Sequence, residues 1–242
     1  MKINALYFGY ICVYFTHIMK SKIKLTVDAV VFGYDSGNIS VLLVKRKYEP
    51  FKDGWALPGG FVLENEDLEQ AVQRELSEET GARINYLEQL YTFGDLGRDP
   101  RGRVVSVAYF GLVKPNAFKL TASTDAKKAE WFDIKKLPKL AFDHKKILKI
   151  AIERLQGKIT YEPIGFELLD KKFPFSDLEK LYTTLLDREI DRRNFKKKIT
   201  SLKVLDELDE KVSIGRGRPA SLFSFNKKRY FQLKKEGIIF EI

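Results

Sequence analysis

Two apolar runs open the chain's interpretable part, residues 25–34 (LTVDAVVFGY) and 39–45 (ISVLLVK), separated by Asp35-Ser36-Gly37-Asn38. Short Val/Leu/Ile-rich runs flanking a turn set predict a β-hairpin. Trp55-Ala56-Leu57-Pro58 then leads into Gly59-Gly60, and the period changes. A helix is predicted over about 67–80, with Leu68, Val72 and Leu76 four residues apart on the face that meets a sheet and Gly81 as its C-terminal cap. Further strands are predicted near 84–93, 103–113 and 129–132, and a helix around 145–156. Interleaved strands and helices predict an α/β sandwich.

The pattern changes again around 157–163, which places a boundary between a first domain, 22–157, and a second, 158–242. In the second, a helix over 176–186 has Ser176 and Glu179 in capping-box spacing and Leu178, Leu181, Tyr182 and Leu185 on one face. A second helix, about 192–202, turns Phe195, Ile199 and Leu202 inward. A hairpin follows, with arms at 204–208 and 220–225 around Gly215-Arg216-Gly217-Arg218-Pro219. Helix, turn, helix and β-wing is the order of a winged helix-turn-helix domain. Residues 1–21 read as an N-terminal extension, either disordered or a mis-assigned start, because Met19 opens a segment that looks like a natural beginning. Their apolar stretch, 3–15, is too short to span a bilayer and no small-residue cleavage site follows it. No membrane partner is expected.

Composition adds limits. Of 242 residues, 44% are hydrophobic and 31% charged, as in ordinary soluble globular proteins. Two histidines and one cysteine exclude a zinc finger or a disulfide framework, and the lone Cys12 fits a reducing, cytoplasmic setting. The net charge of +10 is concentrated: residues 191–242 hold 14 Lys/Arg against 7 Asp/Glu, leaving +3 for the preceding 190. A basic end suggests a polyanionic partner, although a solvated tail would give the same count.

The chemistry centres on GFVLENEDLEQAVQRELSEETGA, residues 60–82. On a helix, Glu75, Glu78 and Glu79 are spaced i, i+3, i+4 and share a face, where they repel unless a cation intervenes. All-oxygen ligands suit a hard divalent ion, Mg²⁺ or Mn²⁺. Arg74 can pair with Glu78 and orient the cluster. A solvated Glu-rich helix would explain the carboxylates but not Gly60, Glu66, Arg74 and Gly81 at their fixed offsets.

These residues are similar, position for position, to the Nudix hydrolase signature G-x5-E-x7-R-E-U-x-E-E-x-G-U, where U is aliphatic. The resemblance implies an α/β/α sandwich with a mixed sheet over about 22–156, and metal held by Glu75, Glu78 and Glu79 with the Gly59 carbonyl. It also implies supporting roles for Arg74 and Glu66, and a catalytic set of Glu75, Glu78 and Arg74 in which Glu75 or a residue on a distant loop is the base. The stretch RDPRGRVVSVAY, residues 98–109, is a charged turn feeding a strand, in which Arg98, Arg101 and Arg103 can meet phosphates. It resembles the corresponding stretch of bacterial ADP-ribose pyrophosphatases, which implies ADP-ribose, split to AMP and ribose 5-phosphate. Phe142-Asp143-His144 recurs there too, with His144 either touching substrate or starting a helix.

In the second domain, Arg192, Arg193, Lys196 and Lys197 lie on the outer face of the 192–202 helix, and Arg216 and Arg218 in the wing turn. Together they form a candidate surface for DNA phosphates. EPIGFELLDKKF, LEKLY, DRRNFKKKI and GRGRPASLF resemble the Nudix-related transcriptional regulators over nearly all of the chain after residue 22. That resemblance implies a winged helix bound to DNA as a homodimer, with ADP-ribose, another nucleotide or a sugar as effector. Many such regulators have a degraded signature; this chain keeps it intact. Two readings follow: a hydrolase fused to a DNA-binding domain, and a ligand-responsive regulator with little or no hydrolysis.

Overall fold

The computed structural model describes residues 22–35, 37–84, 86–117, 119–121, 126–213 and 219–237. The extension 1–21 and the wing residues Arg216 and Arg218 lie outside them.

The predicted hairpin is formed by β1 (Lys24–Asp35) and β2 (Asn38–Arg46), paired antiparallel from Phe32↔Val41 to Asp35↔Asn38. β1 also pairs in parallel with β6 (Val104–Val113). With β3 (Trp55–Ala56) and β5 (Leu87–Phe93), the order is β3-β2-β1-β6-β5, while β4 (Gly59–Phe61) pairs with β1 and β7 (Ala126–Asp133) with β2. One parallel pair among antiparallel ones makes the sheet mixed.

The near-continuous apolar character of β1 has a direct cause: both its faces are covered. Val27, Ala29 and Val31 meet Ala71, Val72 and Leu76 of helix α1 (Leu68–Thr80). Val30 and Phe32 point the other way, onto Ile147, Leu148, Ala151 and Leu155 of helix α2 (His144–Tyr161). The result is an α/β/α sandwich. Asp67 and Gln70 form a capping box at the start of α1, and Gly81, at φ 72°, closes it by donating to the Ser77 carbonyl. Helix α2 runs further than the 145–156 expectation, so the boundary drawn at 157/158 falls inside it and the chain first leaves helix at Glu162. Its extra turn is anchored by Lys158, whose Nζ pairs with Glu88 at 2.7 Å and Glu162 at 3.2 Å.

A 3₁₀ turn, Ile164–Leu168, leads to the second unit. Its helices are α3 (Phe175–Leu186) and α4 (Arg192–Leu202), and its wing strands are β9 (Leu205–Val212) and β10 (Ala220–Phe225). A two-residue strand, β8 (Phe173–Pro174), completes an antiparallel sheet of order β8-β10-β9, and helix α5 (Lys227–Lys235) follows. Neither β8 nor α5 was expected. The capping box expected at Ser176 does not form: Pro174 is the N-cap, and Glu179 instead pairs with Arg192 at 3.0 Å. Phe195 and Ile199 of α4 are buried, each contributing roughly 1.5–3 kcal/mol; Leu202 is only partly covered.

The two units share one apolar core, continuous from Phe32 through Leu155 and Ile159 to Leu181 and Phe195. Polar contacts add to the junction: Thr184 Oγ1 donates to the Gly37 carbonyl at 3.4 Å, and Lys135 pairs with Asp187 at 2.7 Å. No helix of the described residues is long and apolar enough to cross a membrane.

Tyr182 lies fully buried in this core, its ring 5.0 Å from that of Phe195, and its hydroxyl finds no hydrogen-bond partner among the described residues. A buried hydroxyl without a partner costs about 1–3 kcal/mol. Tyr182→Phe keeps the ring and removes that cost, so the variant is expected to unfold about 1 kcal/mol less readily. Urea midpoints at constant slope measure the change, and a midpoint at or below wild type contradicts it.

Candidate functional site

The Gly59-Gly60 pair is required by two close approaches, of β1 to Gly59 and of Glu75 on α1 to Gly60. A Cβ at Gly59 would sit 2.2 Å from the Val27 carbonyl oxygen, and one at Gly60 2.2 Å from Glu75 Oε1. With no Cβ at Gly60, the Glu75 carboxylate of the helix edge lies directly on β4. Gly59 N–H donates to Glu79 Oε2 at 2.9 Å, and Glu79 is buried. Glu78, one turn after Glu75, points outward and is half-exposed.

Arg74 organises this edge. Its Nη2 and Nε grip Glu66 at 2.7 and 2.9 Å, Nη2 reaches the Phe61 carbonyl at 3.0 Å, and Nη1 bridges Glu75 at 2.8 Å and Glu78 at 3.2 Å. Glu66 also accepts the Leu63 N–H at 2.8 Å. Arg74 and Glu66 therefore tie the 61–66 loop to the helix, and the Arg74–Glu78 pair sits at the i, i+4 spacing read from the sequence.

The hydrogen bonds from Arg74 hold the Glu66 carboxyl down at about 2. A carboxyl depressed in the folded state stabilises the fold at pH above its ordinary value, and that contribution is lost as pH falls from about 4.5 toward 2. Glu66→Gln is accordingly expected to flatten the acid limb of the stability curve in that window and to leave its shape near neutrality unchanged. Melting temperatures between pH 2 and 7 test it; a limb as steep as wild type would rule out this pair as its source.

By chemistry, three carboxylates and a backbone carbonyl fit a hard divalent cation. By geometry, no three Asp, Glu, His or Cys side chains among the described residues form a ready cation cage. The reason is local: Arg74 Nη1 supplies the positive charge between Glu75 and Glu78, and Glu79 is turned to Gly59. The donor set fits, and a cation would compete with Arg74 for it.

Beside this edge lies a narrow, open cleft, lined by Thr26, Asp28, Arg46, Gly59, Gly60, Glu79, Arg98, Arg101, Phe142 and His144 among others. The three arginines of 98–103 have different fates. Arg101 stands at the cleft, 4.8 Å over Phe61 and 5.5 Å over Phe142, braced by Asp99 at 2.7 Å. Arg98 lines the cleft too, but its side chain is only 4% exposed and is engaged bidentately by Asp143 at 2.9 and 2.7 Å, with Asp28 at 3.4 Å. Arg103 is not among the lining residues and donates to the Gly94 carbonyl at 2.6 Å.

Asp28, passed over in the sequence, is the hub beneath the cleft: Ser106 donates to it, Arg98 reaches it, and His144 Nε2 lies 3.4 Å away. The signal was available, since a carboxylate inside LTVDAVVF requires a buried partner. His144 starts α2 and its Nδ1 accepts the Leu57 N–H at 2.8 Å. Burial pushes its pKa down, against the pull of Asp28 and Asp143. The imidazole is thus neutral, with its proton on Nε2 facing Asp28.

In the second unit, Arg192, Arg193, Lys196 and Lys197 all lie exposed on α4, with Arg193 and Lys197 opposite Phe195 and Ile199 and the other two flanking them. Asp191 caps the helix by accepting the Asn194 N–H at 3.0 Å. Arg192 is tied to Glu179, and Lys196 Nζ lies 5.6 Å over the Phe175 ring, so these two are braced.

The NUDIX domain family model matches residues 22–150, and that of the NrtR DNA-binding winged helix domain matches residues 165–225. The chain is 34% identical over 210 residues to the ADPR responsive transcriptional repressor NtrR of Acinetobacter baylyi, covering 85% of this chain and 83% of that protein. Over 132 residues it is 43% identical to the ADP-ribose pyrophosphatase of Methanocaldococcus jannaschii, covering 54% of this chain and 77% of that one. Among solved structures it is similar to Shewanella oneidensis NrtR complexed with a 27mer DNA, with a TM-score of 0.74, 35% identity, and 85% and 94% of the two chains covered. A carboxylate-edged helix on a mixed α/β/α sheet, joined through one core to a basic winged helix, thus has its counterpart in a known family: the chain belongs to the NUDIX domain family, in the group that carries an NrtR-type DNA-binding winged helix.

Proposed function

We propose that this chain is a DNA-binding regulator whose Nudix cleft takes ADP-ribose or a similar nucleoside diphosphate and hydrolyses it to AMP and ribose 5-phosphate. The observation that carries this reading is the presence in one chain of a complete acidic edge on α1 and an exposed basic edge on α4. The relative that shares 85% of this chain is an ADPR-responsive repressor, and the one that shares the Nudix part is an ADP-ribose pyrophosphatase. Both names support a common ligand.

Glu75, Glu78, Glu79 and the Gly59 carbonyl would hold Mg²⁺ or Mn²⁺, which when bound neutralises diphosphate charge and activates water. The chain's own residues do the rest. Arg74 and Glu66 fix the loop that presents Gly59 and Gly60. Arg101, backed by Asp99 and two aromatic rings, offers a guanidinium to the diphosphate at the mouth of the cleft. Glu75, or a residue on a distant loop, would accept a proton from an attacking water, with Glu78 beside it on the acidic edge. On α4, Arg193 and Lys197 face a DNA backbone, with Arg192 and Lys196 beside them. A winged helix reading two half-sites calls for a homodimer.

A second reading, a sensor without hydrolysis, is favoured by the Arg74 bridge between Glu75 and Glu78. A panel of ADP-ribose, NAD, sugar nucleotides and pentoses, with and without Mg²⁺, separates the two. AMP release from ADP-ribose supports the first. A thermal shift with no product supports the second, and neither response sinks the ligand assignment.

A further inference from the structure

Helix α2 begins in the cleft and ends against the winged helix. At its start, Asp143 is the N-cap and accepts two hydrogen bonds from Arg98, and His144 holds the Leu57 N–H. The helix has 18 residues, a rise of about 27 Å. At its far end Ile159 is fully buried beside Gly165, where an added Cβ would meet Ile159 at 3.1 Å and Leu181 of α3 at 3.2 Å. Glu162, its C-cap, lies 3.7 Å from Lys234 of α5. Ile147, Leu148, Ala151 and Leu155 are buried between the two ends.

We infer that Asp143 and His144 are positioning residues through which ligand in the cleft alters DNA affinity, with α2 as the rigid connection. The inference rests on the reading of the chain as a ligand-responsive DNA-binding protein. Arg98 is the exchangeable partner. Its guanidinium is shared by Asp143 and Asp28, and a diphosphate in the same cleft competes for the same fork. Once Arg98 turns to the ligand, Asp143 loses its bidentate partner and the first turn of α2 is released from the 98–101 loop. A close-packed interior passes a helix displacement on to its neighbours. Ile159 therefore delivers it to Gly165 and Leu181, the joint that carries the winged helix. An effector works only through contacts that differ between two states; the Arg98–Asp143 pair is that contact.

The test is the ratio of DNA affinities with and without the non-hydrolysable α,β-methylene analogue of ADP-ribose. It is read by fluorescence anisotropy on promoter DNA from the chain's own genomic neighbourhood. Wild type, Asp143→Asn and Gly165→Ala are compared, and calorimetry measures each variant's affinity for the analogue. Both variants are expected to bind ligand-free DNA within about twofold of wild type, and both ratios to change at least fivefold at saturating analogue. No ratio in wild type overturns the regulator reading and this inference together. A wild-type ratio retained by both variants overturns the inference alone. Loss in Asp143→Asn with Gly165→Ala unaffected removes α2 as the connection. A drop in analogue affinity with the saturated ratio intact shows Asp143 to be a ligand-site residue only. Should Asp143→Asn fail to fold, Gly165→Ala decides, since it touches neither the cleft nor α4.

Discussion

Replacing Glu79 by Gln is expected to lower AMP release from ADP-ribose by at least about 100-fold while the fold survives. Glu79 is buried on the inner edge of α1 and accepts the Gly59 N–H at 2.9 Å. A Gln amide oxygen can still accept that bond, so the strand–helix contact is kept. What disappears is the charge next to Glu75, and with it one ligand of the acidic edge. A 100-fold loss corresponds to about 2.7 kcal/mol in the barrier, within the several kcal/mol that a bound cation supplies to a developing phosphate charge. Glu64→Gln, an exposed glutamate outside the edge, serves as the control and should turn over like wild type. Product formation by liquid chromatography under saturating Mg²⁺ reads the result. Undiminished turnover in the Glu79 variant would remove that residue from the hydrolytic machinery.

The second large effect is expected on DNA. Arg193 and Lys197 are one helical turn apart on the exposed side of α4, while Phe195 and Ile199 hold the other side in the core. Changing both to Ala should weaken promoter binding at least about tenfold and reduce the slope of log K against log salt by about 1.8, two phosphate contacts at roughly 0.9 each. The apolar face is untouched, so the melting temperature should hardly move. Arg192→Ala should do less, because its guanidinium is engaged by Glu179 at 3.0 Å. Titrations at four or more salt concentrations provide the slope. A double variant with the wild-type slope places the DNA surface elsewhere.

Local interactions explain why so much was legible in the sequence. The capping box of Asp67 and Gln70, the Gly81 cap and the spacing of Val72 and Leu76 are set within one or two turns of chain, and α1 follows the expected bounds. Helix α4 does too, since its apolar stripe and the Asp191 cap are adjacent in sequence. Where neighbours in space outweighed neighbours in sequence, the reading missed. Ser176 and Glu179 had capping-box spacing, but Glu179 found Arg192 and the helix began after Pro174. The helix expected to end at 156 runs on to Tyr161, where Lys158 pairs with Glu88 of β5.

Read alone, the sequence determined most of the elements, an α/β sandwich followed by a winged helix, and the resemblance that implied the mixed α/β/α plan, because periodicity, caps and a motif of fixed spacing are properties of contiguous residues. Only the tertiary structure decided how the charges are used. Asp28, Arg98 and the Asp143-His144 pair, drawn from three distant stretches of the chain, meet beneath one cleft. Of three arginines that look alike in RDPRGR, burial opposite Asp143 engages Arg98, a backbone carbonyl engages Arg103, and Arg101 stands at the cleft beside Asp99. An ion pair depends on which carboxylate the fold brings within reach, and no local pattern encodes that distance.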